Sequence, residues 1–287
     1  MVINGFHVEN WKNLKPFEDS YAYGKRSDGA FILIVADGIT RDPKNMSKLP
    51  NKKNLLGMLQ FFYNYPRPSP AKQAVDNFIN NFIPSVSISR DISRNLILEG
   101  MNDGNKSLRF YNESLCIRPD TVDYLENDYA ACVAAAALID SLETRMIWAS
   151  IADCRVRIFN SKGNITFESP QEGPNSKGSI DEDIMKKYQT RFIVPYGRRK
   201  IREEYRNNPQ EPLSYGAFTG EKSALQYIKS GEQKINFDDR IIVHTDGVEE
   251  AVISGAFADA LQTKNEKAMV KVCKKYVHSE GSLVYSF

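Results

Sequence analysis

The chain has 287 residues and nearly balanced charge, 38 basic against 36 acidic side chains with a net +2, which gives no case for a nucleic-acid or membrane-surface binder. A composition 41% hydrophobic and 26% charged is that of a folded globular protein, and it excludes a disordered tail or a fibre. Four cysteines, none in a Cys-x-x-Cys pair, argue against a thiolate zinc site and a disulfide scaffold and point to a reducing, cytoplasmic setting.

The first ten residues, MVINGFHVEN, lack the basic-then-apolar pattern of a leader. Residues 21–23 (YAY) read as a short aromatic strand. Residues 31–36 (FILIVA) form an unbroken apolar run that ends on Asp37-Gly38. A run without alternation implies a strand buried on both faces. An unusual segment follows, up to about Pro70. Residues 71–82 then place Ala74, Val75, Phe78, Ile79 and Phe82 on one helical face, with Pro70 suited to the first turn. A second helix spans 91 to about 111, its middle weakened by Gly100 and Gly104.

Residues 130–139 are the longest apolar run, too short to span a bilayer. They read as a strand, although their alanines alone would suit a helix. Residues 146–160 hold two β-rich pieces on either side of Asp153. Residues 171–212 are rich in glycine, proline and charge and read as surface loop with one helix near 181–189. A short helix at 223–229 ends before Gly231. Residues 240–245 (RIIVHT) repeat the earlier design and run into Asp246-Gly247. A longer helix is expected over 256–277 and a last strand over 282–287. There is no internal repeat and no dividing linker, so residues 1–287 read as one domain. The order lacks regular βαβ alternation and suggests an α+β fold of antiparallel sheets with helices packed outside.

Only three histidines are present, His7, His244 and His278, so carboxylates are the main candidates for metal chemistry, and they favour magnesium or manganese. Two apolar strands each deliver an aspartate followed by glycine. A carboxylate at the rim of a buried sheet is poorly solvated and needs a partner cation. Each Asp-Gly taken singly is more often a turn. Glu18-Asp19 precedes the first of them, although a lone acidic pair is usually a solvated surface feature. Asp153 is an acid inside an apolar strand pair, and turn and site readings are equally open there. The basic run of Arg198, Arg199, Lys200, Arg202 and Arg206 reads as a solvated loop in preference to a docking patch. His244 reads as packed, and His278 is a lesser candidate for approach to a metal.

In order, the motifs FEDS, FILIVADG, NDYAACVAAAALID, IADCRVRIF, RIIVHTDGVEEAV and a terminal SLVYSF resemble the metal-dependent serine/threonine protein phosphatases of type 2C. The loop YGAFTG at 215–220 is similar to one in compact prokaryotic members. The resemblance implies a four-layer αββα sandwich with a flap at about 171–215. It implies two Mn2+ or Mg2+ ions, with a third more weakly held, in a cleft at one end. Asp37 matches the acid shared by both ions, Gly38 the backbone carbonyl donor, and Asp246 an acid on the first ion. Glu18 and Asp19 match the pair on the second ion, and Asp153 the acid of the third. A metal-activated water would then hydrolyse phosphoserine and phosphothreonine in a protein substrate, opposing a serine/threonine kinase.

Three departures stand out. Leu14 occupies the place of the family's phosphate-gripping arginine, with Lys15 beside it. Arg41, in Ile39-Thr40-Arg41-Asp42, is a second source of the missing charge. Ser279 stands where the last metal aspartate falls, leaving Glu280 as the substitute ligand. Two alternatives to an active protein phosphatase follow: a degenerate member that binds without turnover, and a phosphatase of small phosphorylated molecules.

Overall fold

The computed structural model describes residues 1–10, 15–39, 55–88, 91–124, 128–140, 142, 144–171, 187 and 199–287. The strands are β1 (Ile3–Glu9), β2 (Ser20–Lys25), β3 (Phe31–Ile39), β4 (Ala131–Asp140) and β5 (Arg145–Ser150) in the first half. They continue as β6 (Arg155–Phe159), β7 (Ile165–Glu168), β8 (Lys229–Lys234), β9 (Arg240–His244) and β10 (Glu280–Ser286). The helices are α1 (Leu55–Asn64), α2 (Pro70–Ser87), α3 (Arg94–Ser114), the single turn α4 (Glu249–Val252), α5 (Gly255–Gln262) and α6 (Glu266–Tyr276). One sheet has the order β2-β3-β4-β5-β8 and the other β1-β10-β9-β6-β7. Every neighbouring pair is antiparallel.

The sheets pack face to face, with Val156, Ile158, Ile241, Val243 and Val284 of one meeting the β3–β5 core of the other. Helices α2 and α3 cover the outer face of the first sheet. Helices α5 and α6 cover the second, over Phe6, Val8, Ile242 and Leu283. The expected four-layer αββα sandwich is therefore what forms. Strand β4 sits at the centre of its sheet and is buried along nearly its whole length. Its run of alanines forms a strand because small side chains let α2 and α3 approach on one face and the second sheet on the other.

Ser69 caps α2, its Oγ accepting from the Lys72 N–H at 3.1 Å, and Pro70 opens the helix as its first-turn geometry allows. Helix α3 runs unbroken through both glycines. A Cβ at Gly104 would lie 2.7 Å from the Phe78 ring, which is fully buried and stacked on Phe218 at 4.5 Å. Gly104→Ala is expected to lower the denaturant midpoint. Overpacking costs about 1–3 kcal/mol, against a helix-propensity gain of about 1 kcal/mol. An unchanged or raised midpoint would show that α2 and α3 can separate freely.

Several elements differ from expectation. Strands β1, β7 and β8 and helix α1 carry too little periodicity to be anticipated. The segment 223–229 is a 3-10 turn at Lys222–Tyr227 that leads into β8, and Gly231 lies within that strand, 3.1 Å from the Trp148 ring for a Cβ placed there. The long C-terminal helix is two, broken where Lys264 adopts φ 51° and Asn265 caps α6 by accepting from the Ala268 N–H. Apart from residue 187, the helix expected near 181–189 lies outside the described residues. Arg202 and Arg206 are buried, not solvated, because both clasp the fully buried Asp128, at 3.0 and 2.8 Å. No helix among the described residues is long and apolar enough to cross a membrane. All four cysteines are free.

Candidate metal centre

The candidate acids gather at one end of the sandwich because each is attached to a strand terminus there. Ser20 pairs with Ala36, so Asp19 enters β2 where β3 delivers Asp37. Ser150 lies opposite Ala135, so β5 ends at the same rim, and Asp153 falls on the crossing from β5 to β6. Arg155 pairs with His244, which brings the end of β9, and with it Asp246, to that crossing. Leu283 also pairs with His244, so Glu280 at the start of β10 lies nearby. Ala152, inside the crossing, has φ 57°, a left-handed conformation that costs an alanine about 1–2 kcal/mol. Strain of this kind collects at functional sites.

The acids act strongly on one another. Burial, and then the charges of Asp19, Asp246 and Asp153, hold Asp37 well above the usual carboxylate range. Burial pushes Asp153 up to about 7, with Asp246 and Asp19 adding to it. Burial pushes Asp19 up to about 6, opposed by hydrogen bonds from Thr245 and Asp37. Asp37 and Asp19 lie close enough to act directly on each other, and their crowding is what a bound cation would relieve.

Both Asp-Gly glycines have a steric reason. A Cβ at Gly38 would lie 2.8 Å from the Glu18 carbonyl oxygen, because the Glu18-Asp19 segment crosses directly over β3. A Cβ at Gly247 would lie 1.7 Å from the Glu280 carbonyl oxygen. These close approaches bring four separate chain segments into one rim.

Glu18 and Glu280 flank the four aspartates. Glu18 is buried, accepts from the Tyr65 hydroxyl at 2.8 Å, and lies 3.9 Å from the Lys15 ammonium. Glu280 accepts from the Glu18 N–H at 2.7 Å and so fastens the acidic segment to β10. Burial, then Asp19, pushes Glu280 up to about 8. Ser279 is exposed, and its carbonyl accepts from the Asn10 N–H at 2.7 Å. His278 is 88% exposed beside Glu250 and does not approach the cluster. Leu14 and Arg41 lie outside the described residues.

Thr245 is a contributor that the motifs alone did not single out. Its Oγ donates to Asp19 Oδ2 at 2.7 Å and accepts from the Ser282 N–H at 2.9 Å. Behind it, the His244 Nδ1–H donates to the Thr245 carbonyl at 2.8 Å, and Nε2 accepts from Arg157 at 2.6 Å. Burial and the Arg157 charge lower His244 to about 4, so the ring is neutral. The Arg157 guanidinium also grips Glu249 and Glu168. This network pins both ends of the turn that carries Asp246. The available signal was a hydroxyl directly before Asp-Gly.

Among the described residues, no three His, Cys, Asp or Glu side chains are closed on a common point as a ready metal cage. The donor chemistry nonetheless fits a hard divalent cation: the ligands on offer are crowded carboxylate oxygens, burial keeps the neighbouring Cys132 and Cys154 thiols protonated, and the His244 ring is already engaged by Arg157 and the Thr245 carbonyl.

No protein-family model matches the chain, and no curated protein matches it by sequence. Solved structures do match, end to end. A bacterial serine phosphatase is 12% identical, with 99% of this chain and 96% of that chain covered and a TM-score of 0.63. The Mycobacterium tuberculosis serine/threonine phosphatase PstP/Ppp is 15% identical, with 99% and 98% covered and a TM-score of 0.60. The catalytic domain of PstP in complex with two manganese ions is 14% identical, with 99% and 96% covered and a TM-score of 0.59. This chain shares their fold along nearly its whole length.

Proposed function

We propose that the chain, as a single catalytic unit in the cytoplasm, is a metal-dependent protein phosphatase that hydrolyses phosphoserine and phosphothreonine and opposes a serine/threonine kinase. The observation that carries this reading is the convergence of Asp19, Asp37, Asp153 and Asp246 at one rim of a sandwich shared with phosphatases. In this reading Asp37, the Gly38 carbonyl and Asp246, together with Asp19 and Glu18, would hold two ions, and Asp153 would help to hold a third. Bound Mn2+ or Mg2+ supplies an activated water and offsets charge on the phosphoryl oxygens. Thr245 holds the Asp19 carboxylate in place, and Glu280 holds the backbone that carries it. Lys15, beside Glu18, and Arg41 bring positive charge to the substrate phosphate. Lysine acts there as a point charge where arginine would grip with two parallel bonds.

One observation favours a degenerate, non-hydrolysing relative: Glu280 is engaged by the Glu18 N–H and Ser279 offers no carboxylate. The two readings separate in one experiment. Manganese is expected to raise the melting temperature by several degrees, since about hundredfold excess over Kd contributes about 2.7 kcal/mol. It is also expected to support release of phosphate from a phosphoserine peptide. A melting shift without hydrolysis of either the peptide or an aryl phosphate would favour the degenerate reading. No shift at all would end the metal hypothesis.

A further inference from the structure

Strand β1 places Phe6 and Val8 on the face covered by α5 and α6, so His7 falls on the opposite face, toward β2. Its ring lies between Phe17 and Tyr21, with centroids 4.4 and 4.5 Å away. Part of the ring stays at the surface. The inward nitrogen, Nδ1, is 2.7 Å from Oγ of Ser282, which is fully buried and is the residue opposite His7 in the β1–β10 register. Backbone pairing from Ile3 to Glu9 already joins these two strands along the whole of β1, so their union does not need this side-chain bond.

Ser282 stands directly behind the acid rim. Its N–H donates to Thr245 Oγ at 2.9 Å, and that hydroxyl donates to Asp19 Oδ2 at 2.7 Å. The Ser282 hydroxyl, like that of Thr245, also favours the charged form of Asp19 against burial. A hydroxyl has one hydrogen, so the direction in which Ser282 donates depends on what His7 offers it. Burial and then the Lys72 charge lower His7 to about 4, so the ring is neutral and carries a single N–H. With that hydrogen on Nδ1, the ring donates to Ser282 Oγ and the serine hydrogen is left for Asp19. With it on Nε2, Ser282 would donate to the ring and turn its lone pairs on a carboxylate. Charge favours the first arrangement.

We propose that His7 is a positioning residue for the cation site at Asp19: its Nδ1–H fixes the Ser282 hydroxyl, and Ser282 with Thr245 fixes the carboxylate. The inference rests on the reading of Asp19 as a cation ligand and adds to it a residue of β1 that no motif included. His7 itself neither binds the cation nor touches the substrate.

The test is the manganese affinity of the full chain, measured by titration calorimetry without substrate. His7→Leu keeps bulk and removes the donor, whereas His7→Asn keeps an N–H near the place of Nδ1. We expect about tenfold weaker binding in His7→Leu and in Ser282→Ala, the lower end of what loss of a group behind a metal ligand brings. The double variant should bind no more weakly than the worse single variant, since both changes break one link. His7→Asn should recover most of the affinity. Unchanged affinity in His7→Leu overturns the proposal. So do additive losses in the double variant. A His7→Asn variant as weak as His7→Leu also overturns it, since ring packing and not the N–H would then matter. That comparison holds even if the metal-free melting temperature of His7→Leu falls. A wild type that binds no manganese ends the reading of the acid rim itself, and the proposal with it, a failure distinct from the other three.

Discussion

Asp37→Asn is expected to abolish manganese-dependent phosphate release, by a factor of about 10³ or more. Asp37 is the acid on which the others converge: its carboxyl lies in the field of Asp19, Asp246 and Asp153. An amide keeps the shape and one carbonyl oxygen but removes the charge that a pair of cations would share. It also relieves repulsion within the cluster, so the metal-free fold should be no less stable and its melting temperature equal or higher. The prediction therefore has two parts that move in opposite directions, with activity lost and apo stability kept. Asp246→Asn serves as the companion, raising the manganese concentration needed for the melting shift. Retention of full activity by Asp37→Asn would remove this acid from the reaction. Loss of activity with loss of fold would make it structural.

Arg157→Leu is expected to destabilise the chain by about 3–5 kcal/mol, read as a lowered denaturant midpoint. Arg157 is 1% exposed and is the hub for His244, Glu249 and Glu168. Leucine fills part of the volume but leaves His244 Nε2 fully buried without a donor, and Glu168 and Glu249 keep only Arg155 as a cation. Glu168 and Glu249 are 39% and 30% exposed, and water recovers part of their loss, so the lower end of the range is the firmer figure. The same change loosens the turn after β9, and manganese affinity should fall about 10–100-fold, as it does when groups behind a metal ligand are removed. A variant as stable as wild type would mean that the guanidinium does no more than its hydrocarbon stem.

The parts of the fold that were legible in the sequence are those with a hydrophobic signature. FILIVA and RIIVHT announce central strands, and the 71–82 pattern announces α2. The strands that escaped notice are polar and peripheral. Strand β8 (KSGEQK) is held by backbone pairing to β5, so its side chains carry no pattern to read. Arg202 and Arg206 look like any loop cations, since their partner Asp128 lies 78 residues before Arg206. Within the site, Asp37 and Asp246 were visible because an acid at the end of a buried strand is an anomaly on its own. Thr245 was not, and the bond by which Glu280 holds the Glu18 N–H was not, because both depend on which backbone passes them.

The hydrogen bond from Thr245 to Asp19 joins residues 226 positions apart in the chain. Asp19 leaves the ribosome long before Asp246 and Glu280, yet the rim needs all of them docked. Fragments released during synthesis therefore have half a sandwich and no complete acid cluster. Contacts of such long sequence separation form late, after loop-closure entropy has been overcome. Under the proposed function, cation binding would double as a completeness check, and a truncated product would be silent instead of unregulated.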